Sequence, residues 1–262
     1  MKWMWRKFGT LLAVSYADML AYRAAIYLWA LSSVMPFIMM GIWTQASAGG
    51  QMDMQPVDFA RYFLSVFIVR QISLVWVIYE FERQVVEGRL SPYLLQPINP
   101  VWRFLANHLG ERLARLPFLV VLAGFFFLLY PESFWIPSGK SALLAVAAIM
   151  LAFALRFLMQ YTFAMISFWS ERANAIDDLW HLFYLFLSGY IAPLDVFPPA
   201  VRDIAMLTPF PYLMYMPAQL LAGREVDVVR GFSVSLAWGA AFFVLYRILW
   251  KQGLRHYSAM GA

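Results

Sequence analysis

A chain of 262 residues that is 63% hydrophobic and only 13% charged is too apolar for a soluble domain, which runs nearer half apolar and a quarter charged. Having no cysteine, it has no disulfides, thiolate metal sites or cysteine nucleophiles. Its net charge of +5 does not require nucleic acid, because Lys and Arg collect on the cytoplasmic side of membrane proteins.

The first 23 residues open with Lys2, Arg6 and Lys7, but the apolar part that follows is too short for a signal peptide and is interrupted by Asp18. At helical spacing, Trp5, Phe8, Leu12, Ser15, Tyr16 and Met19 fall near one face, away from Lys2 and Arg6. This pattern predicts an interfacial helix over 1–23, lying in the headgroup layer. A bilayer core of about 30 Å takes about 20 mostly apolar residues in helical form. Apolar segments at 24–44, 59–79, 113–130, 141–168 and 231–250 approach or exceed that length, and a sixth at 179–192 is shorter. The expected fold is therefore an all-α polytopic membrane protein of six spans, forming one transmembrane unit over 1–262.

Six spans put both termini on one side, and the basic residues choose it. With the termini inside, the outer segments hold only Lys140, Arg202, Arg224 and Arg230, while eleven Lys and Arg fall on inner segments. The expectation is a plasma (inner) membrane protein with both ends in the cytoplasm. No internal repeat is visible, which weakens a secondary-transporter reading.

Two connections stand out. Between the second and third spans, residues 83–112 hold Gly88, placed to end a helix, and Pro92, Pro97 and Pro100. Asn99-Pro100 then looks like a helix start. The following helix carries Trp102, Leu105, Leu109 and Leu113 along one face and Arg103, Asn107 and Glu111 along another, which predicts an amphipathic helix at the inner membrane surface. The segment reads equally as a structural connector or as a docking surface for a cytoplasmic partner. After the fifth span, 188–223 is too apolar for a free loop and too rich in proline for one helix. Two short helices dipping back into the outer membrane edge fit both facts, provided their irregular backbone is buried in protein.

Few other residues suggest chemistry. Gly139-Lys140-Ser141 lacks the first glycine of a phosphate-binding loop, since Phe134 stands in its place. His108, His181 and His256 are scattered, and neither a metal centre nor a catalytic triad is expected, so the chain is not read as an enzyme. Asp177-Asp178 is best explained as favourable charge at a helix start. Within spans, Arg70, and Arg156 with Gln160 one turn on, are candidates for a cargo path, a subunit contact or a purely structural role. Arg61, Arg115 and Arg247 lie near span ends, where they can snorkel. Acidic groups inside the spans are almost absent. Ser233, Ala237 and Ala241 repeat every fourth residue in the last span, a spacing that favours close helix packing inside the bundle.

The order of these features resembles the permease subunits of the type-2 ABC exporters. The stretch 87–100, EGRLSPYLLQPINP, is similar to their E-G-x-x-x-x-L-L-x-P-x-x-P elbow. Ser188, Gly189, Pro193, Pro198, then Pro209, Phe210 and Tyr212, are similar to their re-entrant hairpin before the last span. The resemblance implies a permease dimer, of two copies or two related chains, with two cytoplasmic ABC ATPase subunits that bind ATP and magnesium. This chain would itself bind no cofactor. Glu87, Arg89 and Arg103 would contact the ATPase, Gly88, Pro92, Pro97 and Pro100 would fix the elbow, and Gly189, Pro193, Pro198 and Pro209 would shape an outer gate. Other classes stay open: an ATP-independent channel or secondary transporter, and a non-transporting membrane scaffold subunit.

Overall fold

The computed structural model describes residues 2–31, 33–50 and 52–257. Both ends of the 1–262 unit lie outside the described residues, as do the side chains of Lys2 and Arg23, two of the predicted inner cations. Among the described residues there are helices and no strands. The N-terminal helix α1 (Lys2–Ala21) is followed by α2 (Arg23–Leu31) and α3 (Met35–Ser47), then α4 (Pro56–Ser73) and α5 (Val77–Val86). A single turn, α6 (Ser91–Leu94), leads to α7 (Val101–Leu129), α8 (Gly139–Ala164) and α9 (Asn174–Leu187). Three short helices, α10 (Pro199–Ala205), α11 (Phe210–Leu213) and α12 (Tyr215–Leu221), precede the last one, α13 (Val228–His256).

Among the described residues, five helical stretches are long and apolar enough to cross a membrane: Tyr27–Ser47, Pro56–Val86, Val101–Leu129, Gly139–Phe168 and Val228–His256. Local chemistry sets their starts. Pro56 opens α4, with the Gln55 amide donating to Asp58 Oδ2 at 3.1 Å. Ser138 Oγ accepts the Ser141 amide at the start of α8, and Asp227 Oδ1 accepts that of Arg230 at the start of α13. The predicted fifth span instead becomes α9, which has 14 residues. At 1.5 Å per residue it is about 21 Å long, short of a full crossing.

Four further expectations change. The amphipathic helix predicted after Pro100 is not a separate surface element, because it is the first three turns of α7 and runs unbroken into the third span. Its Asn107 side is covered by α1. Phe8 meets Trp102 edge-on at 5.5 Å, Ser15 Oγ donates to Asn107 Oδ1 at 2.8 Å, and Gly110 lets the α1 backbone approach. Arg115 does not snorkel: with α7 beginning at Val101, it lies well inside the helix and is 4% exposed. Acidic groups also enter the long helices, Glu80 on α5 and Glu111 on α7. On α13 the stripe Ser233, Ala237, Ala241 is exposed, and the inward face carries Gly231, Ser235, Phe242 and Tyr246.

Aromatic side chains dominate the packing. At one end of the bundle, Phe81, Phe104, Tyr161, Phe168 and Trp250 form a connected set of edge and tilted contacts at 5.5 to 6.3 Å. Gly253 leaves room for the Phe168 ring. Tyr62, Phe63, Tyr184, Phe210 and Tyr215 belong to the larger core that reaches the other end.

Candidate functional site

The elbow is built on a helix stop. Gly88 takes φ 68°, a left-handed conformation that suits glycine, and ends the helix that Val86 closes. The chain then turns back so that the Leu90 amide donates to the Gln84 carbonyl at 3.0 Å, with the Leu90 side chain fully buried. Pro92 lies in the single turn α6, and Ser91 Oγ is 3.2 Å from the Tyr257 hydroxyl beyond α13. Asn99 Oδ1 accepts the Val101 amide at 3.0 Å, and buried Pro100 starts α7. Outward, Glu87 and Arg89 pair at 3.1 Å in an exposed position, and Pro92 and Pro97 are exposed beside them. The Arg103 guanidinium lies over the Tyr93 ring at 4.4 Å, so it braces the elbow. The most exposed large apolar side chain of the elbow is Leu95, at 88%. It was present in the leucine pair of the elbow motif, but sequence alone did not say which leucine points out.

The hairpin segment lies toward the opposite end of the rod formed by α4 and α5. Its prolines fall at helix starts: Pro193 before the short 3-10 turn Leu194–Val196, Pro198 before α10 and Pro209 before α11. Gly189 has φ 84°, and a Cβ there would meet the Tyr62 hydroxyl and the Tyr215 Cβ. Irregular backbone needs partners where water is scarce. Side chains of the spans and of the loop between α7 and α8 supply them: Tyr62 donates to the Gly189 carbonyl at 2.7 Å, Trp43 to Ile191 at 2.9 Å, Trp135 of that loop to Leu221 at 2.9 Å and Trp238 to Leu207 at 3.1 Å. Asp195 gathers the hairpin by accepting from the Tyr215 hydroxyl and from Gln219 Nε2.

Midway, the second span is broken at 74–76, where Leu74 turns extended. No Gly or Pro marks this break. It is held by α7, whose His108 Nε2 accepts the Trp76 amide at 3.2 Å while its Nδ1 faces the Phe104 carbonyl at 2.9 Å. These contacts fix the neutral imidazole with its proton on Nδ1. Arg112 donates to the Ile72 carbonyl at 2.7 Å and to the His108 carbonyl. Arg115 pairs with Glu111 and reaches Gln71 Oε1, while Gln71 Nε2 donates to the Ala30 carbonyl. A cavity of about 340 Å³ lies alongside, lined by Trp29, Trp76, Glu80, Asn107, Glu111 and Arg115 among others.

Arg70 and Arg156, each singled out separately in the sequence, are brought together through α9 and the start of the hairpin. Arg70 lies over Tyr190 at 4.8 Å and Arg156 over Tyr184 at 4.2 Å, and the two rings stack at 6.0 Å. Gln160 Nε2 donates to both oxygens of Asp177 at 3.1 Å. Asp177 sits in the first turn of α9, whose leading amide, at Asn174, donates to Glu82 Oε2. The pair adjoins the hairpin through Tyr190, whereas the elbow is a separate place. Among the described residues, no three His, Asp or Glu are grouped to hold a metal ion.

Long apolar helices, a hairpin of short proline-started helices and a proline-braced elbow define a multi-pass membrane permease. The chain belongs to the family described as ABC-2 family transporter protein, which matches residues 54–261. No curated protein matches the chain. Membership makes it the membrane-spanning permease component of an ABC transporter, a class that works with ABC ATPase partners.

Proposed function

We propose that this chain is the permease half of an ATP-driven exporter. Two such chains, identical or related, enclose the cargo path, and separate ATPase subunits carrying ATP and magnesium dock on the elbow at 83–112. The orientation is that predicted from the basic residues: a plasma (inner) membrane protein with both termini in the cytoplasm. The sixth crossing is made by α9 together with the hairpin, which forms part of the outer gate.

The observation that carries this reading is the form of the elbow. Leu95, Glu87 and Arg89 are presented outward on a frame held by Gly88, Leu90, Pro100 and the Arg103–Tyr93 stack. A push received there passes directly into α7, a continuous helix roughly 43 Å long. Closure of the ATPase pair would thus tilt the third span and alter access to the path, a rigid-body switch driven by ligand.

Mild-detergent capture of the tagged chain from its native membrane, followed by mass spectrometry, tests the partnership. An ATPase subunit in the eluate is expected, and repeated recovery of the folded chain alone would favour a channel or scaffold instead. Arg103→Glu should then uncouple transport from ATP hydrolysis, by breaking the stack on Tyr93. Unchanged transport together with unchanged ATPase stimulation would count against docking at the elbow.

A further inference from the structure

Buried side-chain atoms without a hydrogen-bond partner are unevenly distributed. Nearly half of them lie around α9 and the start of the hairpin: Arg70 Nε and Nη1, Arg156 Nη1, Gln160 Oε1, the Tyr184 hydroxyl and Ser188 Oγ. Arg156 is 7% exposed, and Tyr184 and Ser188 are more deeply buried still. Buried Arg115 is paired with Glu111, but among the described residues neither Arg70 nor Arg156 has a carboxylate within 4.0 Å. The nearby acid, Asp177, has both oxygens engaged by Gln160. Both guanidiniums therefore keep buried N–H donors that no carboxylate of the described residues takes.

Unsatisfied charged donors within a membrane bundle are costly and mark functional sites. Guanidinium forks suit oxyanions, which accept two parallel N–H bonds. The free hydroxyls of Tyr184 and Ser188 add donors of the same kind. The outer face of α9 beside the cluster is apolar, with Leu179, Leu182, Phe183 and Phe186 all exposed.

We propose that Arg70 and Arg156, resting on the stacked rings of Tyr190 and Tyr184, bind the oxyanion head group of an amphipathic molecule, a phosphate or carboxylate whose apolar tail lies along α9. The proposal deepens the permease reading by giving the cargo a charge class, but binding itself requires no ATPase.

The purified chain in dodecyl maltoside is titrated with dodecyl phosphate, with dodecyltrimethylammonium as control, and its melting temperature is followed. Dodecyl phosphate should raise Tm by about 3 °C in the wild-type chain, and the cation should not. Arg70→Gln and Arg156→Gln should each abolish the shift, and Arg70→Lys should keep part of it. The two Gln variants lie on different helices, so either one decides if the other fails to fold. An equal shift in the Gln variants, or none in the wild-type chain, overturns the site. So does a loss of the dimer in Arg70→Gln without any anion effect, which would assign the charge to a carboxylate of a second copy. In neutral-lipid nanodiscs with the ATPase partner, a twofold or greater rise in ATP hydrolysis on adding dodecyl phosphate, lost in Arg70→Gln, identifies the anion as cargo. Binding with unchanged hydrolysis identifies the head group of a resident lipid, and both results retain the site. Absence of an ATPase partner would sink the exporter reading while leaving the melting shift intact.

Discussion

Two pairs of arginines with buried guanidinium atoms occupy the same bundle under different conditions. Arg112 and Arg115 end on defined acceptors: the Ile72 and His108 carbonyls, Glu111 and Gln71. Arg70 and Arg156 end on aromatic faces, with N–H groups left over. The first pair fastens a broken helix, and removing a member orphans groups that folding has already desolvated. The second pair holds open bonding capacity, so the fold depends on it less. Burial alone does not separate structure from function in an intramembrane charge. What separates them is whether the guanidinium ends on a hydrogen-bond acceptor: those of Arg112 and Arg115 each do, even though Arg115 Nε is left without one.

The largest effect expected from breaking this comparison is Arg115→Leu, which leaves the Glu111 carboxylate buried and unpaired. A loss of about 3–5 kcal/mol is expected by thermal or denaturant unfolding in detergent, and Glu111→Leu added to it should restore most of that. Next come changes that loosen α7 from its neighbours. Gly110→Val would drive a side chain into the backbone of α1, where even a Cβ lies 2.9 Å from the Tyr16 amide nitrogen, for about 1–3 kcal/mol. His108→Ala strands the Trp76 amide at the helix break, with a similar loss of about 1–3 kcal/mol. On the other side of the comparison, Arg70→Gln should stay within about 1 kcal/mol of the parent in the same unfolding measurement, since it removes an uncompensated charge. A loss comparable to that of Arg115→Leu would make Arg70 another structural fastener. The smallest effect on stability is expected at Leu95→Asp, within about 0.5 kcal/mol, while recovery of the ATPase by capture falls sharply.

Much of this organisation was legible in the chain. Gly88, Pro92 and Pro100 marked the elbow because glycine and proline act on the backbone locally, and Pro193, Pro198 and Pro209 marked the hairpin's helix starts for the same reason. Arg70 and Arg156 stood out as charges inside apolar runs. The break at 74–76 was not legible. Leu74, Val75 and Trp76 are apolar residues in an apolar stretch, and the groups that hold the break lie far along the chain: His108, 32 residues beyond Trp76, and Arg112, 40 beyond Ile72. Arg115 was misread because hydropathy locates the apolar part of a helix, whereas α7 begins at Val101 in a polar segment. The meeting of Arg70 with Tyr190 could not be read at all, since it depends on how α9 and the hairpin return to α4.

The interruption at 74–76 gives the second span the mechanics of a jointed linkage. Below the joint, α5 is continuous with the elbow; above it, α4 carries Tyr62, which grips the hairpin at Gly189. A stiff rod would pass any swing of the elbow to the hairpin in full proportion. A knuckle would let the lower arm rotate while the upper arm stays seated, with His108 and Arg112, bonded to Trp76 and Ile72, as its pins.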